Sequence, residues 1–311
     1  MRIAIFGVGG VGGYFGWRLA KSGEDVIFLA RGESLKALVT NGLKMDTPDG
    51  ASLTQPVNVS GDPKEVGPVD VIIVGVKAWQ VPEAAEAIKP MVGPETFAVP
   101  LQNGLEAPTH LSKAIGSEHV FGGLCRIVAL KAGPGHIRHV ALEPYIAFGE
   151  LNNQPSERGR LLQDAFTKAG VTCEIPANIH VAMWEKFLFI ASFSGAAAVT
   201  RAPAGVIRSV PETRKILEEA ASEIIKVAQA RKIPLRDDLI QSTMAFIDNL
   251  GFESTASMQR DIMNGLPSEL SEQLGAVVRL GQEVGVETPI ISCMYSSLLP
   301  QELRARGKME F

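Results

Sequence analysis

The sequence contains little cysteine, few aromatic residues and no long apolar run. Only 3 of its 311 residues are cysteine and 6% are aromatic, and the cysteines lie far apart without a Cys-x-x-Cys spacing. This excludes a disulfide framework and indicates reduced thiols. Every apolar run stops well short of the roughly 20 residues that cross a bilayer, and no signal-peptide pattern precedes the first strand. We therefore expect a cytoplasmic protein without a membrane-spanning segment.

The chain also lacks an excess of basic charge. Its formal net charge is −4 and its pI is near 5.8, which provides no positive field for nucleic acid or for an anionic membrane surface. The histidines form one close pair, His136 and His139, whose side chains would point to opposite faces of a strand. We expect no nucleic-acid partner, no membrane partner and no resident metal.

A glycine-rich turn follows the first apolar strand. Arg2 to Phe6 runs directly into Gly7-Val8-Gly9-Gly10-Val11-Gly12. In such a motif Gly7 makes the tight turn, Gly9 lets the backbone approach a pyrophosphate, and Gly12 lets the next helix pack on the strand. The amides at the start of that helix then hold the anion. The pattern predicts that residues 7–12 bind a dinucleotide.

The end of the second strand indicates which dinucleotide is bound. A helical pattern from Tyr14 to Ser22 is followed by a strand, Asp25 to Ala30, and then by Arg31. An NAD enzyme would place a carboxylate here for the ribose hydroxyls, whereas a guanidinium can pair with a ribose 2′-phosphate. We therefore expect NADP (NADPH), selected by Arg31, although Glu33 nearby leaves some NAD affinity open.

Two polar residues follow the next predicted strands. Val69 to Val76 is a continuous β-branched run that suits a buried parallel strand, and Lys77 follows it. Thr96 to Pro100 predicts the next strand, and Asn103 follows that one. Because ligands bind beyond the carboxyl ends of such strands, Lys77 and Asn103 are candidates for the same site as the glycine turn. A solvated lysine and an Asn-Gly turn are the alternatives.

The two halves of the chain differ in pattern. The first half continues after Val120 with short strand patterns around one helix, whereas helical patterns dominate from Asn178 onward. The sequence predicts an α/β fold: a Rossmann-type domain with a doubly wound parallel sheet, residues 1–176, and an all-helical domain, residues 177–311. The cleft between the domains is the expected substrate site. The apolar stretch Gly275 to Val278 makes a homodimer through the helical domain reasonable.

The predicted elements of these two halves are as follows. Strands are expected at Val120 to Leu130, His136 to Val140, Tyr145 to Gly149 and Thr172 to Ile175, and helices at Glu157 to Ala169, Ile179 to Ser194, Pro211 to Ala230, Arg236 to Leu250 and Ser268 to Val284.

Two charged residues of the helical half are candidates for proton transfer. Lys186 stands in the apolar stretch Trp184 to Ile190, where burial lowers the pKa of a lysine toward the range useful for catalysis. Glu269 follows Pro267-Ser268, which looks like a helix start, and is expected in the first helical turn. The alternatives are that Lys186 extends from a packed helix to solvent and that Glu269 only complements the helix dipole.

Taken in order, these motifs resemble the ketopantoate reductases (2-dehydropantoate 2-reductases) over nearly the whole chain. The resemblance is carried by Gly7 to Gly12, Arg31-Gly32, Val76 to Gln80, Leu101 to Gly104, Trp184-Glu185-Lys186, and Ser257-Met258 with Asp261 and Glu269. It implies a Rossmann domain followed by a helical domain similar to that of 6-phosphogluconate dehydrogenase.

The resemblance also implies an activity and roles for residues. The protein would be an NADP-dependent oxidoreductase that reduces a 2-oxo acid to a 2-hydroxy acid, with ketopantoate to pantoate in pantothenate biosynthesis as the leading case. Lys186 would donate the proton to the ketone oxygen, and Glu269 would orient that lysine. Asn103 and Lys77 would position the nicotinamide ribose and the substrate, and Ser257 would bind the substrate carboxylate.

Three positions depart from the family pattern. Ile190, Ser194 and Ser254 stand where asparagines are common, and an isoleucine cannot hydrogen-bond a hydroxylated substrate. The implied substrate-binding residues are thus Asn103, Lys186, Ile190, Ser194, Ser254 and Ser257. A family member acting on a more apolar 2-oxo acid is one alternative, and an NADPH-binding sensor without chemistry is another.

Overall fold

The computed structural model describes residues 1–311, which divide into two compact units. The first unit comprises Met1–Gln102 and Ala107–Ala182, and the second comprises Asn103–Glu106 and Met183–Phe311. The sequence places the division at residue 176, whereas in the structure it falls inside one continuous helix, Ile179–Thr200. The helical pattern runs unbroken across this point, so the sequence contains no local signal for the division.

The first unit alternates strands and helices in sequence. Its strands are β1 (Arg2–Phe6), β2 (Asp25–Leu29), β3 (Leu43–Asp46), β4 (Ser52–Gln55), β5 (Asn58–Ser60), β6 (Val69–Val74), β7 (Val92–Pro100), β8 (Phe121–Gly133), β9 (His136–Glu150) and β10 (Thr172–Glu174). Its helices are α1 (Gly10–Lys21), α2 (Gly32–Asn41), α3 (Pro63–Val66), α4 (Val81–Ala87), α5 (Ala107–Ile115) and α6 (Glu157–Lys168).

Five strands form the predicted parallel sheet in the order β5-β2-β1-β6-β7. Its two faces are both buried: Val71 and Ile73 of β6 pack into one apolar cluster, and Ile72 and Val74 pack into another. Successive side chains of a strand alternate between faces, so a strand covered on both sides needs an unbroken apolar run. The structure confirms the Rossmann-type sheet.

A second sheet, in the order β10-β9-β3-β4 with β8 paired to β9, completes the first unit. The sequence predicts two strands where the structure has the single strand β9. Arg126 pairs with Tyr145 and Val128 with Ala141, so the intervening residues bulge out of the ladder. Leu142, with φ of 67°, lies in this bulge. The break in the sequence pattern is therefore a bulge within one strand.

The second unit is helical. It contains most of α7 (Ile179–Thr200) together with α8 (Ala204–Ser209), α9 (Pro211–Ala230), α10 (Leu239–Asp248), α11 (Ser257–Met263), α12 (Ala276–Glu283) and α13 (Pro289–Ala305). Helix α7 is apolar on every side, as befits a helix surrounded by others, and continues past the predicted end at Ser194. No helix of the protein is both long enough and apolar enough to cross a bilayer.

The stretch Gly275 to Val278 lies mostly inside this unit. Ala276 is fully buried and Val277 is 1% exposed, in a core cluster that also contains Leu188 of α7. The structure therefore removes the reason for treating this stretch as a dimer surface. A homodimer stays a prediction without that support.

The segment that carries Glu269 begins differently from the prediction. Helical structure starts at Leu270, passes through a π-helical turn at Ser271–Gly275 and continues as α12. The Glu269 carbonyl accepts the first helical hydrogen bond, from Gln273 N at 2.9 Å. Glu269 is thus the residue that caps the helix, and its predicted place in the first turn is wrong. Single π-helical turns are found frequently at functional sites.

Candidate active site

Three glycines of the predicted nucleotide turn are required by the fold itself. Gly7 has φ of 103°, and a Cβ there would lie 2.8 Å from Val76 N. A Cβ at Gly12 would collide with the Gly7 carbonyl oxygen, where α1 crosses β1. Gly10 is confined in the same way by the Ala129 carbonyl of β8. These contacts agree with the predicted tight turn and close helix packing.

Gly9 differs because nothing in the protein requires a glycine there. A Cβ at Gly9 would meet its nearest neighbour, Gly75 O, at an ordinary 3.8 Å. Helix α1 begins next to it with no side-chain cap and no acidic residue in its first turn. Its first amides can therefore receive an anion, and the space beside Gly9 suits a pyrophosphate. Val8 and Val11 are partly buried and pack against the core of the first unit.

Arg31 lies between β2 and α2, as predicted, and already has an acidic partner. Its Nη1 donates to Glu83 Oε1 at 2.9 Å, and the two side chains are 66% and 70% exposed. An exposed pair of this kind is weak. Glu83 lies in the first turn of α4, 52 residues after Arg31 in the chain. No local sequence pattern could therefore have indicated that a carboxylate pairs with the predicted phosphate-binding residue.

Lys77 follows β6 and is exposed. Its backbone N–H donates to Gln80 Oε1 at 3.1 Å, which shapes the turn after the strand. The buried Gln102, absent from the sequence prediction, joins the ends of β7 and β6 by donating to Val74 O at 2.8 Å and Val76 O at 3.0 Å. These bonds fix the strand end from which Lys77 projects.

Asn103 belongs with the helical unit although it directly follows the Rossmann sheet in sequence. Its Nδ2 donates to Glu269 Oε2 at 3.5 Å. Glu106 of the same segment accepts from Arg279 Nη2 at 2.6 Å. The structure thus brings Asn103 to Glu269, and its predicted place in one site with Lys77 stays a prediction.

Glu269 is a buried carboxylate, 6% exposed. Besides Asn103, it accepts from Gln273 Nε2 at 3.4 Å. Gln273 is fully buried and was not predicted; its position four residues after Glu269, one helical turn later, is the signal that could have found it. Both hydrogen bonds are longer than the usual charge-assisted bond.

Glu272 lies three residues after Glu269, in the π-helical turn. Burial raises the pKa of Glu272 to about 7, and the negative charge of Glu269 adds to the rise, whereas Arg306 and Arg279 oppose it. Glu272 is therefore partly protonated near neutral pH. This limits the negative charge next to Glu269.

Lys186 lies on α7 with its Nζ buried. The residue after it, Phe187, packs in one core cluster with Met258 and Leu270, the residues that follow Ser257 and Glu269. The three chain segments that carry the predicted catalytic and carboxylate-binding residues therefore converge on one core.

The predicted specificity residues are less confined. Ile190 is half-buried and packs against none of the four core clusters. Ser254 and Ser257 are half-buried, in the loop before α11 and at its first residue, whereas Ser194 is 2% exposed. The Ser254 carbonyl accepts from Ala204 N at 2.9 Å, which anchors this loop to α8.

Comparison with known proteins identifies the family. The model of ketopantoate reductase PanE/ApbA matches residues 3–153, and the model of its C-terminal part matches residues 178–302. The chain belongs to the ketopantoate reductase family. The members of this family are oxidoreductases that act on CH–OH groups with a nicotinamide dinucleotide, so the protein is an enzyme of this class.

Individual relatives agree over nearly the full length. The uncharacterized oxidoreductase YkpB of Bacillus subtilis is 30% identical over 96% of this chain and 98% of its own. The crystal structure of 2-dehydropantoate 2-reductase from Geobacter metallireducens is 31% identical, with a TM-score of 0.89 over 96% of this chain and 99% of its own. D-mandelate dehydrogenase with NADH and anilino(oxo)acetate shares the fold, with a TM-score of 0.90 and 23% identity over 98% of this chain and 99% of its own.

The contrast between Gly9 and Gly7 predicts different effects of alanine. Gly9→Ala should leave the melting temperature within about 2 °C of the wild type. It should raise the Kd for NADPH about tenfold or more, because the added methyl occupies the space of the pyrophosphate. Gly7→Ala, unlike Gly9→Ala, should lower the melting temperature, because the added methyl collides with the protein's own backbone. Calorimetry and fluorescence titration measure both quantities. A Gly9→Ala protein that binds NADPH as tightly as wild type would contradict the assignment of this turn.

Proposed function

We propose that this protein reduces a 2-oxo acid to a 2-hydroxy acid with NADPH, and that 2-dehydropantoate (ketopantoate) is its substrate. The observation that carries the proposal is the buried Glu269 carboxylate with Asn103 beside it, in the core reached by the Lys186 segment. We place the reaction in pantothenate biosynthesis and expect a cytoplasmic, homodimeric enzyme; the family membership supports the pathway.

The proposed chemistry assigns one task to each residue. The amides of residues 7–12 would hold the dinucleotide, which when bound would supply the hydride for the carbonyl carbon. Lys186 Nζ donates a proton to the ketone oxygen, and its positive charge stabilises the alkoxide that develops there. Glu269 orients Lys186 and balances its charge, and Asn103 fixes the Glu269 carboxylate and the nicotinamide ribose. Ser257 hydrogen-bonds the substrate carboxylate, with Lys77 helping to position the cofactor.

A non-catalytic NADPH sensor is less well supported. Burying a carboxylate and an ammonium group costs several kcal/mol or so unless each is well matched by partners. A protein that only binds NADPH does not need a buried carboxylate and a buried ammonium group. Proton transfer to a carbonyl does use them, as the acid and the group that orients it.

Replacement of the proposed acid tests the mechanism. Lys186→Ala should lower kcat for ketopantoate about a thousandfold, since both the proton donor and the charge at the alkoxide are lost. The Kd for NADPH should stay within about twofold because Lys186 does not hold the nucleotide. Steady-state NADPH oxidation and fluorescence titration measure these values. Lys226→Ala, an exposed lysine of α9, serves as the control. Wild-type turnover by Lys186→Ala would exclude it as the acid.

Ile190 tests the identity of the oxo acid. Ketopantoate carries a 4-hydroxyl that its analogue 3,3-dimethyl-2-oxobutanoate lacks. The wild type should reduce ketopantoate with kcat/KM on the order of 10⁴ M⁻¹s⁻¹ or more. Ile190→Asn should lower that constant severalfold, because the native site holds the hydroxyl by groups other than residue 190.

The opposite result favours the alternative substrate class. A wild type that prefers the dimethyl analogue, together with an Ile190→Asn variant that gains activity on ketopantoate, would assign the enzyme to more apolar 2-oxo acids. Ile190→Leu keeps the apolar volume and serves as the control.

The Arg31–Glu83 pair tests the choice of dinucleotide. Arg31→Ala should raise the KM for NADPH about tenfold, through loss of a charge-assisted bond to the 2′-phosphate, and should change the KM for NADH little. Glu83→Gln should lower the KM for NADPH by a few-fold at low salt, because the carboxylate competes for Arg31 and repels the phosphate. Equal effects on both dinucleotides would contradict the choice of NADPH.

A further inference from the structure

Glu302 of α13 is a carboxylate that is almost fully buried, at 3% exposure. Its two oxygens accept from Ser268 N at 3.1 and 3.0 Å, and Oε2 also accepts from Ser268 Oγ at 2.5 Å. Arg306 Nε, one helical turn later, donates to Oε1 at 2.5 Å. A buried carboxylate is tolerated only with such a set of donors, so Glu302 is matched by Ser268 and Arg306.

The bonds of this network converge on a single residue of the chain, Ser268. Besides the bonds to Glu302, the Ser268 carbonyl accepts from Arg306 Nη2 at 2.9 Å, and its Oγ accepts from Leu270 N at 3.2 Å. The N–H, the carbonyl and the hydroxyl of Ser268 are therefore all held. Ser268 is fully buried, so it has little freedom to move.

Glu269 is the next residue in the chain. Its backbone is held on one side by the Ser268 network and on the other by the bond from Gln273 N to the Glu269 carbonyl. The segment that carries Glu269 is thus restrained by Glu302 and Arg306, which lie more than thirty residues later in the chain. Neither residue needs to touch the carboxylate of Glu269 for this.

A second buried glutamate provides a comparison. Glu223 of α9, at 6% exposure, accepts from Ile290 N at 2.8 Å and Ile291 N at 2.9 Å. It caps the start of α13 in much the way that Glu302 holds Ser268. Glu223 caps the first turn of the helix that carries Glu302, and Ile291 lies in the core cluster of Leu270. The bonds of Glu223 go to α13 and not to Ser268, so loss of Glu223 reports the cost of removing a buried capping carboxylate while the bonds at Ser268 are kept.

We propose that Glu302 is a positioning residue for the reaction: through Ser268, and with Arg306, it holds Glu269 at the place from which that carboxylate orients Lys186. The inference rests on the proposed role of Glu269. In this proposal Glu302 of the last helix fixes the geometry of the Glu269–Lys186 pair. It contributes nothing to the affinity for nucleotide or substrate.

Kinetics with ketopantoate and NADPH test the proposal on the full-length protein. Glu302→Gln should lower kcat about tenfold or more and leave the KM for ketopantoate and the Kd for NADPH within about threefold. In a Glu269→Gln background the same change should lower kcat by less than about twofold, because the residue through which it acts is already lost. Glu223→Gln should lower the melting temperature comparably and leave kcat within about twofold in both backgrounds.

Ser268→Ala gives a second variant in case Glu302→Gln does not fold. It removes one donor to Glu302 and the bond to Leu270 N, and it should lower kcat about threefold with the same dependence on Glu269. A loss of kcat that is the same with and without Glu269, or one matched by Glu223→Gln, would show that Glu302 acts only on stability and would overturn the proposal.

Hydrogen–deuterium exchange separates this outcome from failure of the proposed function. Glu302→Gln should speed exchange about tenfold or more in peptides that cover residues 268–273, and Glu223→Gln should do so in peptides that cover residues 288–293. If the wild type does not reduce ketopantoate, the proposed substrate fails, and the exchange result still decides whether Glu302 holds the Glu269 segment. Unchanged exchange at residues 268–273 would overturn the positioning role.

Discussion

The cost of burying a carboxylate governs the arrangement of the helical unit. Glu223, Glu302 and Glu269 are each less than a tenth exposed, and each stands at the start of a helix or holds one. Glu223 and Glu302 accept hydrogen bonds from backbone N–H groups, which offset much of the desolvation. Among the partners of Glu269 are the side-chain amides of Asn103 and Gln273. Backbone N–H groups thus hold the two carboxylates that cap or fix helices, whereas side-chain amides contact Glu269, the carboxylate proposed to act in the reaction.

The glycines of residues 7–12 are also needed for two different physical reasons, protein packing and the proposed ligand. Gly7 and Gly12 are glycines because the protein's own backbone leaves no room for a side chain. At Gly9 the protein leaves room for a side chain, so the proposed dinucleotide is what accounts for a glycine there. A motif read from sequence alone contains both kinds without distinguishing them, and only the surrounding atoms tell which glycine serves the fold and which serves the ligand.

The same reasoning explains how much the sequence could predict. The parallel strands and the glycine turn were predictable because their signals are local: an apolar run buried on both faces, and glycines at fixed spacing. The helix of residues 211–230 was predicted at its observed bounds, Pro211–Ala230. The features that the sequence analysis missed depend on partners far away in the chain. The Asn103–Glu106 segment joins the helical unit through Arg279 and Glu269, and Ser268, the residue before Glu269, is held by Glu302 of α13. Neither interaction leaves a pattern near the residue it positions.

The residues proposed for catalysis are held more tightly than those proposed to contact the substrate's side chain, and this bears on substrate choice. Glu269 lies on a segment held by buried bonds, and Phe187, Met258 and Leu270 fix the three segments of the proposed site in one core. Changing that machinery would cost stability as well as rate. Ile190, Ser254 and Ser257 are half-buried, and Ile190 lies outside every core cluster, so replacing them disturbs little packing. A fold built in this way can change the groups that meet the substrate's side chain and keep the proton donor and its positioning unchanged. Of the three positions that the sequence analysis sets apart from the family pattern, Ile190 and Ser254 are half-buried and free to change in this way, whereas Ser194 is 2% exposed and its replacement is limited by packing.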